Sequence, residues 1–279
     1  MSPHHSKALI MTNPHLRLYA PDNSLSLDEE PVRDCLFSLP SYQEIRERLW
    51  YVIKSDRQFT LLDGEAEMEL SPFLLRFATS LRTSGYRVVR MQMEDDSPGE
   101  LLARIVAELG AGPVRFPAAD ESWRAIDDEL RGRKIIGIET VFLLECQSSK
   151  SIGFHIVEEL LARTVGLGCT VILTILSAET ILPAHLKSRS ALRTNLNSLT
   201  VSDSTAWIAG IVDLLDYNRN PFSPESCSWL HERAEGSPRK LLELCTTILE
   251  NAQAQGRVQR LSEQKTNGML LESLERRAA

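Results

Sequence analysis

Gly64-Glu65-Ala66-Glu67-Met68-Glu69-Leu70-Ser71 follows an apolar run, Phe59 to Leu62, and leads into a helical repeat in which Phe73, Phe77 and Leu81 recur every fourth residue. A strand, a turn that opens on glycine and then a helix is the setting of a phosphate-binding loop. That loop reads Gly, four residues, Gly, Lys and then Ser or Thr, so that backbone N–H groups and an ammonium cradle phosphate oxygens. Gly64 and Ser71 keep the first and last positions at the right spacing, but the second glycine is Glu69 and the lysine is Leu70. Glu65, Glu67 and Glu69 would face the space of a triphosphate with the wrong sign of charge, and Glu69 has bulk where glycine leaves the backbone open. An acidic turn with Ser71 as a helix cap, in an unrelated α/β protein, would show the same eight residues.

Outward from the loop, strand and helix patterns alternate. Ser41 and Glu44 have the spacing of a capping box, and Ile45, Leu49 and Ile53 predict a helix from Ser41 to about Lys54. Ser71-Pro72 opens the helix after the loop, and Gly85 closes it. Tyr86 to Met91 reads as a second strand, and Ser97-Pro98 starts a helix that runs through Leu109 to Gly110. Trp123, Ile126 and Leu130 mark another helix, and Ile135, Ile136 and Ile138 predict a third strand from Lys134 to Glu139. A helix near Phe154 to Thr164 precedes an apolar strand, Cys169 to Leu176, and Leu196 to Val201 is a weaker fifth. The alternation predicts an α/β fold, a five-stranded, mostly parallel sheet flanked by helices. From Asp203 onward the pattern is helical, with segments Asp203 to Tyr217, Pro224 to Ala234 and Pro238 to Gln255. The expected domains are therefore a flexible or strapping N-terminal arm over 1–38, an α/β core over 39–202, a helical lid over 203–262 and a tail over 263–279.

The chain has 279 residues, 43% of them hydrophobic, and a net charge of −7 from 31 Lys plus Arg against 38 Asp plus Glu. A folded, soluble protein is expected, without a global attraction to nucleic acid or anionic lipid. Arg131-Gly132-Arg133-Lys134, and Lys187-Ser188-Arg189 with Arg193, are the local basic clusters where DNA would bind. Short clusters of this kind are more often solvated, so a DNA partner is not favoured. No apolar run reaches the roughly 18 to 20 residues of a membrane span, and Met1 to Ala20 lacks the apolar core of a signal peptide, so a cytoplasmic location is expected. The five cysteines are an odd number without CxxC spacing and read as reduced, mostly core residues. The six histidines show no metal-ligand spacing, and no dedicated metal site is expected. His155 lies on the apolar stripe of its helix and reads as a buried, hydrogen-bonded histidine; Trp207 and Trp229 read as core or interface anchors.

A sheet that begins with strand, loop and helix and ends in a small helical domain is similar to the AAA+ branch of the P-loop NTPases. Over about Ser41 to Leu261 the chain resembles the general secretion pathway protein A type and the transposon target-selection ATPases. The resemblance implies a third strand ending in adjacent Asp and Glu, for which the aligned residues are Glu139 and Thr140. It implies a polar sensor after the fourth strand, at Ser177, and an arginine finger at Asn195, or at Arg193 if the alignment shifts by two. A second sensor would lie in Gly236-Ser237-Pro238-Arg239, which also reads as a turn and a helix start with Arg239 in water. Gly64, Ser71, Glu139, Ser177 and Arg239 are then a vestigial nucleotide site without a catalytic residue, because the lysine is absent and Thr140 is no general base near neutral pH. The expectation is a pseudo-ATPase with no cofactor, ATP and magnesium entering only if the loop rearranges. It would serve as a scaffold or regulator beside an active AAA+ ATPase or another assembly component, as a hetero- or homo-oligomer. A weak ATP-binding ATPase of a secretion or transposition system and a DNA-binding adaptor are the alternatives.

Overall fold

The computed structural model describes residues 25–93, 96–112, 118–146, 152–176, 181–217 and 219–254. Its strands are β1 (Phe59–Gly64), β2 (Arg87–Met93), β3 (Thr140–Cys146), β4 (Cys169–Ile175) and β5 (Arg193–Leu196). The helices are α1 (Glu30–Phe37), α2 (Pro40–Lys54), α3 (Leu70–Thr83), α4 (Pro98–Leu109), α5 (Ala119–Ile135) and α6 (Ile152–Arg163), followed by α7 (Ala184–Arg189), α8 (Val201–Leu214), α9 (Pro224–Ala234) and α10 (Pro238–Ala254). The five strands form one sheet in the order β2-β3-β4-β1-β5, and every pairing is parallel. Asp63 pairs with Ile175, and Ile175 with Cys146, so β1, β3 and β4 end level with one another and their following loops share one edge. In open parallel sheets ligands bind outside those carboxyl ends, where the strand order reverses, and β1 between β4 and β5 is such a point.

Both faces of the sheet are covered, which is why β3 and β4 are buried along their whole length. Leu62, Val88, Val141, Leu143 and Ile172 join a core with α2, α3 and the C-terminal helices. Val89, Met91, Phe142, Leu144, Val171 and Leu173 pack on the other side with α4, α5 and α6. The period of two places Arg90 and Gln92 of β2, and Glu145 of β3, on the α3 side of the sheet.

Several elements depart from what the sequence predicts. The third strand is Thr140–Cys146, not Lys134 to Glu139. Helix α5 continues through Ile135, and Gly137, at φ 75°, turns the chain into the strand. Ile135 and Ile136 are 84% and 69% exposed, so their apolar character has no core to enter. The fifth strand is Arg193–Leu196; Val201 instead starts α8, whose cap Thr200 accepts the Asp203 N–H. Ser41 is not the cap, because Leu39 is the N-cap of α2, and the Ser41 hydroxyl finds no partner among the described residues. Within the expected arm, α1 buries Val32, Leu36 and Phe37 and packs against α8. Helix α7 carries no sequence signal of its own. His155 is exposed rather than buried, since the apolar stripe of α6 is carried by Phe154, Ile156, Val157, Leu160 and Leu161. Trp207 is fully buried, and its indole N–H donates to the Pro238 carbonyl at 3.1 Å. Four of the five cysteines, all but Cys35, are buried. No described helix is long and apolar enough to cross a membrane.

Candidate functional site

The loop after β1 is closed from within. Glu65 precedes one 3-10 turn, Ala66–Met68, and Glu69 at φ 49° turns the backbone into α3. The left-handed conformation is strained for a residue with a Cβ and is where the phosphate loop has glycine. Leu70, at the lysine position, is only 1% exposed, and a Cβ on Gly64 would run into its Cδ1. Met68 is also buried, and Tyr42 Oη donates to its carbonyl at 2.7 Å. Burial, with Glu69 and Asp203 nearby, pushes the Tyr42 phenol upward, so it stays a donor. The apolar side chains of the loop thus point inward and fill it.

The carboxylates point outward, to the C-terminal helices and to the segment after β5. Arg239 donates to Glu69 Oε1 from Nη2 at 2.7 Å and from Nε at 3.1 Å. The hydrogen bond and charge of Glu69 raise the Arg239 guanidinium above its ordinary value. Lys240 Nζ lies 3.3 Å from Glu67 and 3.1 Å from Glu235. Ser198 Oγ donates to Glu65 at 2.8 Å. Arg239 and Lys240 are held there by a turn that only glycine makes: Gly236 has φ 72°, and a Cβ on it would sit 2.7 Å from the Leu199 carbonyl oxygen. The Leu199 N–H donates to the Gly236 carbonyl at 2.9 Å, tying this turn to the segment after β5.

Beneath the loop, Ser71 is the second residue of α3 and not the predicted cap, a place that Glu69 takes, and its hydroxyl donates to Glu145 Oε2. Glu145, fully buried near the end of β3, is a site residue that the predicted strand leaves out. Its signal is a lone carboxylate near the end of the longest apolar run of the segment, Val141-Phe142-Leu143-Leu144. Arg90 Nε lies 2.7 Å from Glu145 Oε1, an ion pair whose N–H is not aimed at the oxygen. Arg90 Nη2 donates to Ser71 Oγ at 2.9 Å, and Gln92 Nε2 approaches the same oxygen at 3.2 Å. Burial raises the Glu145 carboxyl above the ordinary value, against the opposing pull of Ser71 and Arg90.

Of the predicted site residues, Gly64, Ser71 and Arg239 come together around this loop. Glu139 does not. It is exposed just before β3, and its carbonyl accepts the Arg87 N–H at the opposite edge of the sheet, about 20 Å away by strand rise. Thr140 opens β3 at the same distal edge; the residues at the loop end are Glu145 and Cys146. Ser177 lies outside the described residues. Arg193 and Asn195 are both inside β5 and both exposed, and Arg193 Nε is paired with Asp63 at 2.5 Å. In the predicted basic clusters, Arg133 pairs with Glu129 at 2.5 Å, and Lys134 donates to the Gly166 carbonyl. A separate cavity of about 770 Å³ opens between α1, α2 and α3, and none of residues 64–71 lines it.

Phosphate does not fit the loop as it stands. The lysine position is apolar and buried, the glycine position bears a charged side chain already paired, and the arginine that would meet a phosphate meets Glu69 instead. No group of three or more metal-ligating side chains occurs among the described residues.

The sequence matches no protein-family model and no curated protein. Solved structures do match. Cdc6p from Pyrobaculum aerophilum is 14% identical over 81% of this chain and 67% of its own, with a TM-score of 0.52. A point mutant of Thermotoga maritima RuvB is 13% identical over 83% of this chain and 70% of its own, with a TM-score of 0.51. At such identities the likeness is one of fold. The strand order, the helices on both faces and the helical C-terminal region are those of the AAA+ P-loop fold.

Proposed function

We propose that this chain, carrying an AAA+-type fold, does not hydrolyse ATP and serves as a protein-binding scaffold or regulator in a larger assembly that includes an active ATPase. One observation carries the proposal: the phosphate seat is filled from within, by Leu70 and Met68 inside the loop and by the Glu69–Arg239 pair across it. Phosphoryl transfer depends on positioning and charge neutralisation by lysine, metal and a water-orienting group. Here leucine stands at the lysine, and Cys146, at the end of β3, offers no carboxylate to orient water. What remains is a lid held on its core without ligand, presenting the edges of the sheet and the C-terminal helices as surfaces for other chains. The resemblance in element order supports a secretion or transposition assembly in the cytoplasm as the setting.

Isothermal titration of the whole chain with ATP and magnesium tests this. No heat of binding and no phosphate release are expected. Tight binding with turnover that disappears in Ser71→Ala would make the chain an ATPase and end the proposal.

A further inference from the structure

In the phosphate-loop pattern, the final Ser or Thr hydroxyl and a carboxylate at the end of a neighbouring strand hold a divalent cation. Ser71 and Glu145 stand in that relation here and touch one another directly. A cation nevertheless touches both, and it belongs to the chain. Arg90 reaches over from β2, with Nη2 on Ser71 Oγ at 2.9 Å and on the Ser71 carbonyl at 3.3 Å, and Nε at 2.7 Å from Glu145 Oε1. We infer that the Arg90 guanidinium is a built-in substitute for the divalent cation at this site, and that it keeps a metal-competent pair of oxygens closed to metal.

Three features support this. Glu145 has no exposure to solvent, so its charge needs a resident partner, and Arg90 is the cation that pairs with it. The Arg90 side chain is itself only 20% exposed, so the pair is largely shielded from solvent. On the adjacent strand, Thr174 is in register with Glu145 on the same face of the sheet, and its buried hydroxyl finds no partner among the described residues. A guanidinium engaged with Ser71 and Glu145 makes no bond to that oxygen, whereas a divalent cation takes several oxygens around it. The inference deepens the proposed function and rests on the same site, but it concerns the metal and not the phosphate seat.

The test is titration of the whole chain with MnCl2 alone, read by electron paramagnetic resonance and by thermal unfolding. The wild-type chain is expected to take up no Mn²⁺ here. Arg90→Met, which keeps bulk and removes charge, is expected to gain a saturable site for one Mn²⁺ and a rise of roughly 5 to 10 °C in unfolding midpoint at about 100 times Kd. Both gains should vanish in the double variant Arg90→Met, Glu145→Gln. A folded R90M that ignores Mn²⁺, or a double variant that still binds it, overturns the inference. If R90M folds only with Mn²⁺ present, the metal has replaced the guanidinium, which supports it. If R90M does not fold at all, Arg90→Gln is titrated in its place. An R90Q that is indifferent to Mn²⁺, or insoluble with and without it, also counts against the inference. Titration of the wild-type chain with ATP in the absence of metal separates the two ideas. Binding there would show that the phosphate seat opens, which removes the observation carrying the proposed function, and would leave the Arg90 assignment to be decided by Mn²⁺.

Discussion

Leu70 occupies the one position in the loop where a lysine would change the chemistry, and its burial predicts what a lysine there would do. Leu70→Lys places an ammonium among Gly64, Met68 and the end of β5 with no carboxylate free to meet it. A loss of about 3 kcal/mol in unfolding free energy, read from urea denaturation, is expected, with no gain of ATP binding. A variant as stable as the wild type that binds ATP would mean that the loop opens readily. Glu145 gives a prediction in pH. Its folded carboxyl titrates above the ordinary 4.5 because of burial, so between 4.5 and that raised value the native state holds more protons than the unfolded chain. This group's contribution to stability is therefore complete below pH 4.5 and declines as pH rises through the window. Subtracting the pH–stability curve of Glu145→Gln from that of the wild type should leave a negative slope there. A flat difference would show that Arg90 holds Glu145 at its ordinary value.

At the scale of elements, the turn at Gly236 decides how the C-terminal helices meet the loop. Gly236→Ala combines a positive φ with a Cβ 2.7 Å from a backbone oxygen that has no room to yield, and a loss of about 2 kcal/mol is expected in denaturant melts. The ion pairs it positions are half exposed and contribute little to global stability. Arg239→Gln should accordingly leave the unfolding midpoint nearly unchanged while speeding amide exchange in residues 65–70; equal exchange would mean that packing alone holds the loop. Most of these elements are legible in the sequence because their signals are local. Ser97-Pro98 does start α4, where the structure adds a capping box with Glu100, and Pro224 and Pro238 do open α9 and α10. The third strand is not, because Ile135-Ile136 and Val141-Phe142-Leu143-Leu144 are both apolar runs, and only the sheet shows which of them is covered. That shift moves the carboxylate of interest from Glu139 to Glu145. Ser71 and Arg239 are legible because they belong to contiguous motifs. Arg90 is not, since nothing along the chain ties a β2 arginine to a hydroxyl 19 residues earlier and a carboxylate 55 residues later.

For the molecule as a whole, the pairs Glu69–Arg239 and Glu67–Lys240 place negative charge between the loop and the C-terminal helices, where the proposed function needs no nucleotide. On the proposed function, these helices are a lid that supplies its own charge and leaves ATP no differential affinity through which to move it, so its conformation should not follow the nucleotide state. Two outcomes are expected. Millimolar ATP with magnesium should leave the unfolding midpoint of the chain unmoved, where binding at about 100 times Kd would raise it by roughly 5 to 10 °C. An assembly captured on this chain from its own cells should likewise keep its contacts to this chain when ATP is depleted enzymatically, even if an ATPase within it changes state. Removing the internal charges is the converse experiment. Glu67→Gln with Glu69→Gln frees Arg239 and leaves Lys240 paired with Glu235 alone, and if the lid surface is the docking surface, capture should weaken although ATP never affected it. Capture that responds to ATP and ignores these two substitutions would place control in a nucleotide site, and the filled loop would then be one state of a loop that opens.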